Sequence, residues 1–149
     1  MMNAGAYGSD VAAVLEYAEA VDEFGELHKL SLSDIGYVYR GNTLPEGMIC
    51  VRGVFRGSKA EPRDIKDKID EITKQRESSQ PVRARTSGST FKNPTGHKAW
   101  QLIDAAGLRG YKLGGAMVSE KHCNFFINTG NATAADIENL GEYVRKKVF

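Results

Sequence analysis

Between Val11 and Asp22 the apolar residues Leu15, Tyr17 and Val21 recur at near-alternating positions, Glu23-Phe24-Gly25 breaks the pattern, and Leu27 and Leu30 resume it. Alternation interrupted by a glycine-bearing turn predicts a β-hairpin over 11–30. Ser33 and Asp34 are placed to cap a short helical turn, Tyr37-Val38-Tyr39-Arg40 reads as extended, and Gly41-Asn42 through Pro45 marks a loop. Met48 to Phe55, rich in β-branched and aromatic residues, predicts a third strand. The period then changes. Ile65, Ile69 and Ile72 share one face of a helix predicted over 61–75, with Pro62 tolerated in its first turn.

From Arg76 to Pro94 the chain is polar and short of large apolar side chains until Phe91, which predicts a long loop. Trp100, Leu102, Ile103 and Ala106 predict a second helix closed by Gly107, with Trp100 in the core. Gly114–Val118 and Asn124–Asn128 read as short strands. Thr133, with Asp136 three residues on, marks a helix start, and Ile137, Leu140 and Val144 supply that helix's apolar face. Strands followed by a helix, then helix, strands and helix again, predict an α+β chain in two parts.

Composition narrows the function classes. With 149 residues, 41% hydrophobic and 26% charged, the chain is ordinary for a globular protein, and no run approaches the roughly 20 apolar residues of a membrane span. A formal charge of +1 offers no footprint for nucleic acid or an anionic membrane, so any anion site is local. Cys50, inside an apolar run, and Cys123, beside His122, are too far apart for a zinc spacing and read as two free buried thiols. No basic-then-apolar leader opens the chain, which leaves a cytoplasmic expectation. Asn3-Ala4-Gly5-Ala6-Tyr7-Gly8 is a glycine-rich loop of the kind that connects two elements.

Ser87-Gly88-Ser89-Thr90-Phe91-Lys92-Asn93-Pro94 gathers hydroxyls, an amide, a cation and permissive backbone, groups suited to an anionic, hydrogen-bonding ligand. A solvated Ser/Gly linker is the competing reading, and the spacing does not match a P-loop. Ser89 donates a proton only where neighbours stabilise the alkoxide left behind. Arg40 sits where a strand end would present a guanidinium to a carboxylate, against the alternative of a plain surface arginine. His122 stands without a triad order or a metal-ligand spacing, as a partly buried hydrogen-bonding histidine. Lys66 to Glu71 is the wet face of a helix.

Taken in order, these segments resemble the MurB family of flavin-dependent UDP-N-acetylenolpyruvoylglucosamine reductases. Met2 to Gly8 resembles the family's flavin-domain loop, Tyr39-Arg40 its Tyr-Arg-x-Ser segment, and Gly88 to Pro94 its Gly-Ser-x-Phe-Lys-Asn-Pro motif. Ala99 to Gly107, Gly114-Gly115-Ala116 and Ser119 to Asn128 are similar to the closing domain. The short connection from Arg76 to Pro81 resembles the type II form.

The resemblance implies that FAD takes a hydride from NADPH and passes it to UDP-N-acetylglucosamine enolpyruvate. Arg40 is then the cation facing the developing enolate, and Ser89 the acid that protonates the α-carbon. Tyr7, Tyr39, Asn93 and His122 become substrate-side residues, with Arg76 and Lys98 for the UDP phosphates, while Asn3, Ala4, Gly5 and Gly8 offer flavin-side backbone. No metal is implied. Asn42 stands where the family has serine.

The same resemblance implies residues 1–75 as the carboxyl-terminal half of a FAD-binding domain and 76–149 as a substrate-binding domain lacking its last segment. A chain cut at both ends would lack half the flavin site and the family's late glutamate, for which Glu138 and Glu142 are poor substitutes. Such a chain is expected to be inactive alone, the alternative being a non-catalytic UDP-sugar-binding module. Unpaired strand edges would favour self-association.

Overall fold

Asp22 shapes the first turn because one carboxylate can satisfy several donors at once. Its Oδ1 accepts from the Phe24 and Glu26 amides at 2.9 and 3.0 Å, and its Oδ2 meets His28 Nε2 at 2.7 Å. The His28 partner and these amides hold the carboxyl below its ordinary pKa. Gly25, at φ +84°, supplies the left-handed step. The turn joins strands β3 (Leu15–Val21) and β4 (Leu27–Leu30) in antiparallel register, Ala18 opposite Leu30 and Val21 opposite Leu27. In the computed structural model, which describes residues 2–149, the chain divides into two compact units, Met1–Lys66 and Asp67–Phe149. The architecture is α+β, as the sequence predicts.

In the first unit a two-residue ladder, β1 (Gly5–Ala6) and β2 (Ser9–Asp10), leads into a single helical turn, α1 (Val11–Val14). The expected hairpin therefore begins at Leu15 rather than Val11, since Asp10 accepts from the Ala13 amide at 3.0 Å and caps a helical turn there. After β4, α2 (Leu32–Ile35) is capped by Ser31, with Asp34 closing the reciprocal capping box. The cap lies two residues before Ser33. Strand β5 (Ile49–Phe55) pairs antiparallel with β3, giving the order β4-β3-β5. Leu15, Ala18, Ala20, Leu30 and Ile35 form the core of this unit, with Val11, Tyr37, Leu44 and Met48 against it. Burying a leucine or isoleucine contributes about 1.5–3 kcal/mol, so two alanines among five buried residues make it a thin core.

One burial expectation, that of a buried Cys50, fails here. Strand β5 forms one edge of the sheet and is open on both faces, so Ile49, Val51 and Phe55 are exposed and Cys50 is exposed with them. Only Cys123 is a buried thiol.

Helix α3 (Pro62–Ser79) runs one turn past the predicted end at Gln75 and carries the boundary between the units. Its Ile65 and Ile69 are exposed. The second unit continues with α4 (Ala99–Ala105), strands β6 (Lys112–Leu113), β7 (Ala116–Val118) and β8 (Phe126–Asn128) in one antiparallel meander, and α5 (Ala134–Val148). Strand β6, only two residues long, carries no periodicity to read. Gly107 ends α4 at φ +71°.

Helix α5 starts as its sequence dictates. Thr133 Oγ1 accepts from the Asp136 amide at 3.1 Å, and Asp136 Oδ2 accepts from the Thr133 amide at 2.9 Å. The same Oδ2 also accepts from the Gly115 amide at 3.3 Å, which ties the helix start to the turn before β7. Ile103, Leu108, Ala116, Val118, Cys123, Phe126, Leu140 and Val144 are buried together as the core of this unit. Trp100, expected in that core, lies on the solvent side of α4 at 36% exposure, while Ala99 and Ile103 face inward.

Candidate functional site

In the first unit the candidate residues share an uncommon backbone. Among the described residues, the non-glycine positions with positive φ are Asn3 (42°), Tyr7 (55°) and Arg40 (55°), each a candidate site residue. Left-handed backbone costs a side-chain-bearing residue about 1–2 kcal/mol, and positions held there against that cost cluster at functional sites. Arg40 is the clearest correction to the sequence reading. It does not end an extended strand; Val38 and Gly41 exchange backbone hydrogen bonds of 3.1 and 3.2 Å, so Tyr39 and Arg40 form the tip of a tight turn. Tyr39 is 61% exposed there. Asn42 Oδ1 accepts from the Leu44 amide at 2.9 Å and fixes the chain leaving the turn.

The loop over Asn3–Gly8 is fixed from its base. Asn3 Nδ2 donates to Asp10 Oδ2 at 3.1 Å, and Asn3 Oδ1 accepts from the Ala12 amide at 2.9 Å. The Asn3 side chain thus serves the loop itself; residues Ala4 to Gly8 are exposed, with Ala4 O accepting from the Val11 amide at 3.0 Å and Gly5–Ala6 paired to Ser9–Asp10. A Cβ on Gly5 would lie 2.8 Å from Asp10 Cβ, which demands glycine, whereas at Gly8 the space beside the backbone is open.

In the second unit the serine motif is held as a short backbone ribbon beside β8. Asn128 N–H donates to Arg85 O at 2.9 Å, Ser89 and Phe125 form an antiparallel bridge, and Thr90 N–H donates to Asn124 O at 2.7 Å. The Asn124 side chain completes the attachment, accepting from the Phe91 amide and donating to the Phe91 carbonyl, both at 2.9 Å. Phe91 packs edge-on against Phe126 with ring centroids 5.8 Å apart. These contacts distinguish the segment from a solvated linker. Ser89 itself is exposed on this ribbon, following Gly88 at φ +97°.

Asn93 Oδ1 accepts from the Ala99 amide at 3.0 Å and so satisfies the start of α4 from outside the helix, where Lys98 provides no side-chain cap. Lys98 is exposed at that start, and Arg76 is exposed in the last turn of α3. Lys121 donates to the Glu77 carbonyl, joining the end of α3 to the segment that carries His122. A cleft of about 590 Å³ lies there, lined by Glu77, Gln80, Pro81, Val82, Arg83 and Lys121 among others. A second, apolar cleft of about 450 Å³ lies between Phe91, Leu102 and Val144, and neither cleft is lined by Ser89 or Asn93.

His122 sits in a turn built by Ser119, whose buried hydroxyl accepts from the amides of Lys121 and His122 at 3.1 and 3.2 Å. Its Nδ1 accepts from the Asn124 amide at 3.3 Å, and its ring lies edge-on to Phe125 with centroids 4.7 Å apart. Burial, with the Arg109 charge acting the same way, pulls its pKa below the ordinary imidazole value. A neutral ring accepting at Nδ1 carries its proton on Nε2, which makes that nitrogen a donor. Arg109 is anchored by a two-pronged contact to Asp104 at 2.6 and 2.8 Å and by the Glu120 carbonyl.

Sequence comparison places this geometry. A family model described as the C-terminal domain of UDP-N-acetylenolpyruvoylglucosamine reductase matches residues 80–149, which hold both the serine motif and His122. The chain is 56% identical over 148 residues to the UDP-N-acetylenolpyruvoylglucosamine reductase of Gluconobacter oxydans. Along almost its whole length the chain is similar to these reductases, and residues 80–149 match the model of their C-terminal domain. The match to the Gluconobacter oxydans protein covers 99% of this chain and 48% of that protein. The Rickettsia typhi reductase is 51% identical over 149 residues, 100% of this chain and 50% of that protein. The crystal structure of the Thermus caldophilus reductase superposes with a TM-score of 0.88 at 35% identity, covering 97% of this chain and 53% of that one. The chain thus spans about half the length of the curated relatives it matches.

Asn124 is the residue that sequence reasoning missed. Its bonding partner Phe91 lies 33 positions away, and an asparagine between a cysteine and a phenylalanine carries no local signal of that pairing. Among the described residues no group of three or more His, Cys, Asp or Glu is arranged to hold a metal, and no helix is long and apolar enough to cross a membrane.

Proposed function

We propose that this chain forms part of an NADPH- and FAD-dependent reductase that converts UDP-N-acetylglucosamine enolpyruvate to UDP-N-acetylmuramate, a step of peptidoglycan precursor synthesis in the bacterial cytoplasm. Residues 1–75 contribute the carboxyl-terminal half of a flavin-binding domain, and residues 76–149 a substrate-binding domain. The observation that supports this most is the coincidence of strained backbone with candidate positions, Asn3, Tyr7 and Arg40, in a chain more than half identical to named reductases.

The exposed loop over Ala4–Gly8 fits a planar cofactor, because the space beside Gly8 is open and the loop is braced from below by Asn3 and Asp10. Asn3, Ala4, Gly5 and Gly8 would hold the flavin, which supplies a hydride when bound. Hydride addition to an enol ether conjugated with a carboxylate moves negative charge onto that carboxylate. The Arg40 guanidinium, projected by its turn, stabilises that charge, and the Ser89 hydroxyl delivers the proton to the α-carbon. Tyr7, Tyr39, Asn93 and His122, the last through its Nε2–H, orient the substrate, and Arg76 and Lys98 meet the pyrophosphate.

A chain half the length of its relatives is expected to bind FAD weakly and to show no turnover alone. The check is direct: the purified chain is scanned for flavin absorbance and for NADPH oxidation with the enolpyruvyl UDP-sugar, then mixed with the complementary half of a relative. Colourless protein that gains both properties on mixing supports the reading, and a yellow, active chain overturns the predicted inactivity. Calorimetric binding of the UDP-sugar without flavin points instead to a binding module. We further infer self-association through the open edge of β5, where Ile49, Val51 and Phe55 are exposed.

A further inference from the structure

We propose that Asn124 is a positioning residue for Ser89, fixing the backbone that aims the serine hydroxyl and locking that backbone to the turn carrying His122. The inference rests on the reading of Ser89 as the proton donor, and its geometry stands independently of that reading.

Ser89 is exposed, and the permissive Gly88 precedes it at φ +97°, so the direction of its hydroxyl depends on what holds the chain after it. Three hydrogen bonds made by the two residues after Ser89 converge on one residue. The Thr90 amide donates to the Asn124 carbonyl, the Phe91 amide to Asn124 Oδ1, and Asn124 Nδ2 to the Phe91 carbonyl. Asn124 is 3% exposed, so its amide is desolvated and both of its Phe91 bonds must be made to avoid buried, unsatisfied polar groups. A carboxamide alone among side chains of this length offers one donor and one acceptor at matching height, the pattern that a neighbouring strand would present. Aspartate lacks the donor and leucine lacks both.

The backbone of the same residue reaches the other way, its N–H donating to His122 Nδ1. One residue thus sets the register of the serine ribbon and the proton position of the histidine. Groups that must act on one ligand gain from support of this kind, because a small error in the supporting contacts misplaces the reacting atom.

The test uses the ¹⁵N-labelled chain, with amide exchange read at each residue and corrected for intrinsic rates. In Asn124→Ala, the Phe91 amide should exchange about tenfold faster than in the native chain, while amides in β7 and α5 keep their native protection. Val144→Ala serves as the contrast, because a core cavity speeds exchange across the whole unit. In Asn124→Asp, protection at Phe91 should be lost at neutral pH and return on acidification, since a protonated carboxyl restores one donor and one acceptor. Unchanged Phe91 exchange in Asn124→Ala, or a loss spread evenly as in Val144→Ala, overturns the proposal, as does absence of the pH-dependent recovery.

A parallel titration with the enolpyruvyl UDP-sugar, run on the labelled chain mixed with FAD and the complementary half of a relative, keeps the two readings apart. The native Ser89 amide should shift on titration, with the midpoint raised about tenfold in Asn124→Ala. No shift in the native chain counts against the proposed function while the exchange result still decides the clamp, and a shift with an unmoved midpoint removes the link between Asn124 and ligand placement.

Discussion

Adding a single methyl group at Gly115 should unfold the second unit far more readily than its size suggests. A Cβ there would lie 2.5 Å from Ala132 N, 2.6 Å from Ala132 Cα and 2.7 Å from the Asn131 carbonyl carbon, all backbone atoms. A flexible side chain would swing away, but this segment is fixed: Ala132 N–H donates to Asn128 Oδ1 at 3.1 Å, and the next residue caps α5. Relief requires moving it, which also pulls apart the Gly115 amide and Asp136 and strains the bonds from the Thr129 amide and hydroxyl to Gly115 O. Overpacking of a tight site costs about 1–3 kcal/mol, and weakening a helix cap adds about 1 kcal/mol. A loss of about 2–4 kcal/mol lowers the melting temperature of a domain this small by roughly 10 °C or more.

The internal control is Gly141, in the middle of α5, where a Cβ would meet only Phe126 Cε2 at an ordinary 3.8 Å. Gly141→Ala should stabilise by about 0.5–1 kcal/mol, because alanine loses less backbone entropy in a helix. Thermal unfolding of both variants followed by circular dichroism checks the pair. A Gly115→Ala protein melting within a degree or so of native, or above Gly141→Ala, would refute the claim that backbone contact at this turn limits the fold.

Two further outcomes are expected. Folded His122 titrates below the ordinary value because of its burial, so between the two pKa values the unfolded chain binds the extra proton. Its contribution is fully present above about pH 6.5 and is lost as pH falls below that; the difference in melting temperature between native and His122→Gln should change over that range, and a constant difference would sink the assignment. Self-association through β5 should weaken in Ile49→Lys, because an edge lysine opposes strand pairing; sedimentation showing a native monomer at all concentrations removes that interface.

Much of the candidate site was legible in residue order, and its shape was not. Gly88 to Pro94 and Tyr39-Arg40 carry recognisable wording, yet Arg40 reads as the end of a strand because Tyr37 to Arg40 are residues that favour extended backbone. The mutual bonds of Val38 and Gly41 override that preference and push Arg40 to φ +55°. Cys50 reads as buried because its neighbours are apolar, but burial needs a layer over the strand, and none covers β5 in this unit. Trp100 fails similarly: Ala99 and Ile103 take the inward face of α4.

The local instructions were the ones complete within a few residues. Thr133 and Asp136 specify the start of α5 because both halves of the capping box lie three positions apart, and the β3–β4 hairpin follows from alternation closed by a turn. The likeness to the reductases is likewise written in linear order, since it depends on which residues follow which. What only the tertiary structure decided are the pairings made across distance: Asn124 with Phe91, Asp136 with Gly115, and Arg109 bridging Asp104 and Glu120. A polar side chain has several possible partners in sequence and is restricted to one only when packing removes water from the rest.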